Sequence, residues 1–342
     1  MKSYLYVMIA VCAGFLISGL ISCQNMTDFE GDDVAFKSPV SIIDTELMSV
    51  WFADDETGWA VGDEGLILWT RNRGENWRAA NSGTEAFLRD VHFIDTRTGW
   101  AVGSGGTILW SEVGGESWEI QESGTPNRTL LGVFFTDLET GWAVGWAGTI
   151  LHTNDGGVNW HIQDNIPEFG NMPDFSSVWF TDGQTGWVAG TNGTILHTEN
   201  GGESWESQQS GTDRNLEDVH FVDSQSGLAV GENGTILFTD DGGKNWQPQQ
   251  SVSSETLRGV HFTDSKTGWI VGSFATVLHT KDGGVNWEPQ SIGTNFTRLR
   301  SVFFTDSQTG WAVGFASSGI GLGPILHTTD GGANWIEQGE GT

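Results

Sequence analysis

The chain has 342 residues and a formal net charge of −29, from 15 Lys and Arg against 44 Asp and Glu. An acidic balance of this size excludes nucleic acid and anionic lipid surfaces as general partners. Two cysteines, Cys12 and Cys23, exclude a disulfide-stapled scaffold, so the fold has to be held by packing.

Residues 1–22 carry one early charge, Lys2, and then a run of apolar and small residues from Tyr4 to Ile21. This is the pattern of a secretion signal. Its ending, Leu20-Ile21-Ser22-Cys23, resembles a bacterial lipobox, which implies that Cys23 is acylated and anchors the mature chain to a membrane. A plain transmembrane helix is the weaker reading, because the run is short and no cationic flank follows it. Residues 23–37 are polar and acidic and suit a tether. The expected location is the bacterial cell envelope, and Gln24 after the cysteine favours the outer membrane.

From residue 38 to 342 the chain is one repeat array. Each copy reads T-G-W-A-V-G, a short turn, G-T-I-L-x-T, and D-G-G-x-N-W. The clearest runs Thr140 to Gly145, Gly148 to Thr153 and Asp155 to Trp160. The first tryptophan recurs as Trp59, Trp100, Trp142, Trp187, Trp269 and Trp311, with Leu228 in its place in copy five, so the spacings are 41, 42, 45, 41, 41 and 42 residues. A period of this length is one four-stranded blade. The expected fold is all-β, a single seven-bladed β-propeller of antiparallel blades near 45–83, 84–124, 125–166, 167–211, 212–252, 253–293 and 294–338.

Within a blade, V-x-F marks strand A, G-W-A-V-G strand B, T-I-L-x-T strand C and the N-W pair the start of strand D. The A-to-B turn is D-x-x-T-G, where Asp caps its own turn. The C-to-D turn resembles the Asp-box of sialidases and related propellers, with Asp155, Asp241, Asp282 and Asp330 in the closest copies and Asn72, Val113 and Asn200 in the others. In that motif Asp and Trp fix the hairpin and do no catalysis. His152, His197, His279 and His327 share a slot with Trp69, Trp110 and Phe238, while His92, His220 and His261 share one with Trp51, Phe134, Trp179 and Phe303. A slot that accepts indole, phenyl and imidazole alike is a packing slot, so no metal and no cofactor is assigned.

Taken together, residues 45 to 338 resemble the photosystem II stability and assembly factor family, seven-bladed propellers built from these three motifs. The resemblance implies a non-catalytic assembly role, in which an arginine-rich patch on the propeller holds a protein subunit. The lipobox-like N-terminus implies a bacterial relative acting outside photosynthesis. Six arginines precede strand A: Arg89, Arg128, Arg214, Arg258, Arg298 and Arg300. The D-to-A and B-to-C connections share one propeller face, so these cations are expected there beside Trp146, Phe274 and Phe315, a composition suited to a protein or peptide partner. The alternative for the same arginines is pairing with Glu85, Asp90, Asp213, Glu217 or Glu255. Two stretches break the repeat on that face: Pro167 to Phe175 leading into blade four, and Phe315 to Pro324 in blade seven.

The only tyrosines, Tyr4 and Tyr6, lie in the signal, which removes a sialidase mechanism with its tyrosine nucleophile. The expected protein is a lipid-anchored, monomeric, non-enzymatic scaffold or assembly factor. A carbohydrate-binding or glycan-processing surface protein and a purely structural envelope protein are the alternatives. Ring closure has two candidates, Trp335 to Gln338 and Ala35 to Pro39, the latter offset from Val50 as Trp287 is from Val302.

Overall fold

The computed structural model describes residues 45–293, 296–316 and 325–338. The signal segment, Cys23, the acidic tether, the candidate closing strand 35–39 and residues 317–324 of the blade-seven insertion lie outside them.

Seven four-stranded antiparallel sheets are each made from four consecutive strands in simple order. In the first, β1 (Leu47–Phe52) lies innermost, followed outward by β2 (Gly58–Gly62), β3 (Ile67–Thr70) and β4 (Arg78–Ala80). The other six repeat this A-to-D order, which makes the described chain the seven-bladed propeller expected from the repeats. Every G-W-A-V-G strand is buried along its whole length. That burial follows from its central place, with neighbouring strands on both edges and neighbouring blades on both faces.

Blades are joined by one repeated aromatic contact. The strand-B indole of a blade lies flat on the strand-A phenyl ring of the next, as in Trp59 on Phe93 (3.4 Å between centroids, 3°), Trp100 on Phe135 (3.5 Å) and Trp142 on Phe180 (3.5 Å). The Asp-box tryptophan meets the same phenyl ring edge-on, for example Trp160 against Phe135. Each buried strand-B indole also donates Nε1–H to a carbonyl in the next blade's Asp-box turn, such as Gly201 for Trp142 (3.0 Å). A single tryptophan therefore satisfies its own donor while it seals an interface. Gly141, beside Trp142, lies so close to Phe135 that a Cβ there would fall on the ring, which explains glycine before the tryptophan.

The turns behave as their residues dictate. Asp137 Oδ1 accepts the amides of Glu139 and Thr140 in the A-to-B turn. In the Asp-box turn, Asp155 Oδ1 accepts from the Thr153 hydroxyl and the Asn159 amide, and Oδ2 accepts from Asn159 Nδ2. Asp241, Asp282 and Asp330 repeat this set. Asn72 and Asn200 accept the same hydroxyl and amide on their side-chain oxygen, and Asn200 Nδ2 donates to Ser204 Oγ at 3.0 Å.

The ring closes within blade seven's own sequence. Ile336–Gln338 pairs with Ile325–Thr328 as its fourth strand. Phe52 of the first blade stacks on Trp311 of the last at 3.6 Å, and Trp77 Nε1 donates to Gln338 Oε1 at 3.2 Å. Blades seven and one thus meet through the contacts used at the other junctions.

Candidate binding site: a funnel on the propeller axis

The seven innermost strands line the axis, and each carries a β-bulge at its start, seen in the first blade as a register shift between Leu47 and Ser49. In a regular strand, neighbouring side chains point to opposite faces. The bulge turns two successive residues toward the axis instead. The result is a funnel of about 290 Å³ with two ranks of side chains. The upper rank is Met48, Arg89, Leu131, Ser176, Glu217, Arg258 and Arg300; the lower is Ser49, Asp90, Gly132, Ser177, Asp218, Gly259 and Ser301.

Below both ranks the axis continues as a narrower cavity of about 90 Å³ lined by aromatic and imidazole rings. Trp51, His92, Phe134, Trp179, His220, His261 and Phe303 form a closed circle of ring contacts with centroids 4.1 to 5.1 Å apart. Burial pushes His92 and His261 down to about 3 and holds His220 well below its ordinary value, so these imidazoles are neutral ring fillers. The other histidine column stacks on strand-B indoles, as in His279 on Trp269 at 4.8 Å. Among the described residues no group of three or more His, Cys, Asp or Glu is placed to hold a metal ion.

Two half-buried carboxylates stand in the lower rank, and each bridges three blades. Asp90 accepts the Ser49 hydroxyl of the preceding blade (2.7 Å), its neighbour's amide at Val91 (2.9 Å) and the Val133 amide of the following blade (2.9 Å). Asp218 repeats the arrangement with Ser177, Val219 and Val260. Burial raises Asp90 to about 6 and Asp218 to about 7 against the opposing pull of these hydrogen bonds.

The structure separates the six arginines proposed from sequence. Arg89, Arg258, Arg298 and Arg300 lie within strand A, and three of them, Arg89, Arg258 and Arg300, line the funnel. Arg258 Nη1 is 3.5 Å from Glu217 Oε2, and Arg300 Nε donates to Glu46 Oε1 at 2.7 Å, with Arg298 at 3.4 Å from the same oxygen. Arg89 has no acid partner among the described residues: its guanidinium lies 4.3 Å over the Phe87 ring, and its Nε is buried without a hydrogen bond. Burial and then Arg300 lower the Arg89 pKa, as they lower that of Arg258.

The remaining two arginines stand away from the funnel. Arg214 is exposed beside Asp213, and Arg128 donates to the Trp146 and Ala147 carbonyls, which fixes the turn carrying Trp146 at the funnel lip. Trp146 is 46% exposed. Phe274 is 76% exposed on the blade-six turn, and Phe315 pairs in register with Arg298; neither lines the funnel. Of the acids considered as arginine partners, Asp213 and Glu217 take that role, while Asp90 is bound to hydroxyl and amide donors. Glu46 and the Ser49/Asp90 and Ser177/Asp218 pairs were not singled out from sequence. Aligning the seven strand-A segments in register gives the column Ser, Asp, Gly, Ser, Asp, Gly, Ser, the signal that would have found them.

These features define a seven-bladed Asp-box β-propeller with an arginine-bearing funnel on one face. The family model for photosynthesis system II assembly factor YCF48 matches residues 124–212, 203–258 and 248–338, and the chain belongs to that family. Among solved structures, YCF48 from Cyanidioschyzon merolae is 20% identical over 84% of this chain and 96% of its own, with a TM-score of 0.68. A structure of YCF48 bound to a D1 peptide is 19% identical over 84% and 93%, with a TM-score of 0.67. A GH74 xyloglucanase from Xanthomonas campestris is 12% identical over 87% of this chain and 55% of its own, with a TM-score of 0.68. At these identities the superpositions speak for the fold. A comparison with curated proteins gives no match.

Proposed function

We propose that this chain is a non-catalytic scaffold or assembly factor that holds a protein or peptide partner on the funnel face, attached to a bacterial envelope membrane through acylated Cys23. The observation that carries the reading is the funnel itself: narrowing to a circle of seven rings, lined by three arginines and edged by the exposed Trp146. A pocket of this kind anchors an inserted acidic group while the surrounding aromatic surface covers its neighbours. A related fold, YCF48, has been solved with a D1 peptide, which supports a peptide as the class of ligand. The absence of tyrosine after Tyr6 supports a binding role over sialidase chemistry.

Arg89 is the residue to test first. Removing Arg258 leaves Glu217 without its cation and removing Arg300 leaves Glu46 with Arg298 alone, whereas removing Arg89 breaks no ion pair. Crosslinking and affinity capture with the membrane-anchored chain, read by mass spectrometry, should retrieve a partner that Arg89→Ala loses and that Arg214→Ala keeps. Equal capture by both variants overturns the assignment of the funnel, and a Cys23→Ser chain that stays with the membrane overturns the anchor.

A further inference from the structure

We infer that blade four carries a second site, a neutral groove that takes an uncharged oligosaccharide. It is independent of the funnel and of the partner proposed there. The groove holds about 660 Å³, more than the funnel, and is walled on one side by the insertion 167–175 and on the other by residues 207–213. Blades two, three and five are entered through a short Ser-Gly-Thr connection, at Ser82 to Thr84, Ser123 to Thr125 and Ser210 to Thr212. The groove therefore arises where blade four departs from the repeat.

The wall is pinned, so the groove exists before a ligand arrives. The Pro173 carbonyl accepts the Gly148 amide at 2.7 Å, Asp174 Oδ1 accepts the Ala147 amide at 2.7 Å, and the Asp174 amide donates to the Thr191 hydroxyl at 3.0 Å. Phe169 is half-buried against the core shared by blades three and four, which holds its ring in place. Pre-organisation of this kind lowers the ordering cost of binding.

The lining indicates the chemistry of the ligand. Asn171, Asn192, Ser207 and Gln209 line the groove, and their side chains make no hydrogen bond to another described residue. Amides and hydroxyls both donate and accept, as sugar hydroxyls do. The one charged lining residue, Asp213, stands 3.8 Å from Arg214. In a chain of net charge −29, a groove this poor in unpaired charge favours a neutral ligand. Phe169 supplies the apolar surface on which the hydrogen-bearing face of a pyranose packs.

The test is titration calorimetry of the full chain in detergent with cellotetraose, maltotetraose and chitotetraose. At least one should bind saturably, with an affinity that stays constant between about 0.05 and 0.5 M salt, because no charge pair is there to be screened. Phe169→Ala should weaken that binding roughly tenfold, the equivalent of about 1.4 kcal/mol. Gln209→Ala and Asn171→Ala, at exposed positions, should weaken it with unchanged melting temperature, which separates loss of the site from loss of the fold. Arg89→Ala should leave it intact. No saturable heat with any of the three sugars, binding that the Phe169, Gln209 and Asn171 variants retain in full, or binding of an uncharged peptide in place of the sugars would each overturn the assignment.

Discussion

The Ser49 hydroxyl of the first blade donates to Asp90 of the second across 2.7 Å, and three blades further on Ser177 does the same to Asp218. Each carboxylate also accepts the amide of Val133 or Val260 in the blade beyond, so one half-buried acid ties three sheets together.

Stability should decline as pH rises toward and through neutrality and level off above it. Burial raises Asp90 to about 6 and Asp218 to about 7, above the ordinary carboxylate value of the unfolded chain. Their contribution is therefore complete below that ordinary value and is lost as pH rises through 6 and 7. Urea denaturation at a series of pH values should show the midpoint falling from about pH 6.5 to 8. Asp218→Asn, which cannot ionise, should flatten that limb; a midpoint that still falls equally in the variant assigns the effect elsewhere.

On the acid side the histidines of the closed circle act in the opposite sense. Burial depresses His92 and His261 to about 3, so the unfolded chain takes up protons first as pH falls below about 6.5, and folded-state stability drops. His92→Phe places in blade two the residue that blade three carries at Phe134. It should leave the fold intact and reduce the loss of stability between about pH 6.5 and 5. An unchanged acid limb would place the proton uptake at the half-buried histidines on strand C.

The interface after blade five lacks an indole. Leu228 sits where six other blades place tryptophan, and it packs on Phe262 without a donor for the next turn. Leu228→Trp should add the stacked pair and its hydrogen bond, for a gain of about 1 kcal/mol. For a domain of this size that corresponds to a melting-temperature rise of roughly 2–4 °C. A fall in melting temperature would mean that Gly284, already in contact with Leu228, leaves no room for the larger ring.

At the Asp-box turns, charge should matter less than the accepting oxygen. Asp155 receives the Thr153 hydroxyl and the Asn159 amide on Oδ1, the role that Asn72 and Asn200 fill with a neutral side chain. Asp155→Asn should therefore be close to neutral, whereas Asp155→Ala should cost about 1 kcal/mol from the lost hydrogen bonds. Thermal melts of the two variants side by side check this, and equal losses would count against it.

The repeat by itself determined the number of blades, the order of four strands within each, and the role of the Asp-box. Those properties depend on local periodicity and turn chemistry, which recur every 41 to 45 residues. It also showed that the histidine columns interchange with Trp and Phe, a mark of packing. Other features could be settled only by the tertiary structure. A bulge at the head of each innermost strand turns two successive side chains to the axis, so strict alternation hides the column containing Asp90 and Asp218. Arg300 meets Glu46 only because the ring brings residues 254 positions apart into contact. Closure by Ile336–Gln338 likewise depends on which strand finds the free edge of Ile325–Thr328. These are consequences of curvature and of meetings between blades, and neither is written in the spacing of the motifs that build a single blade.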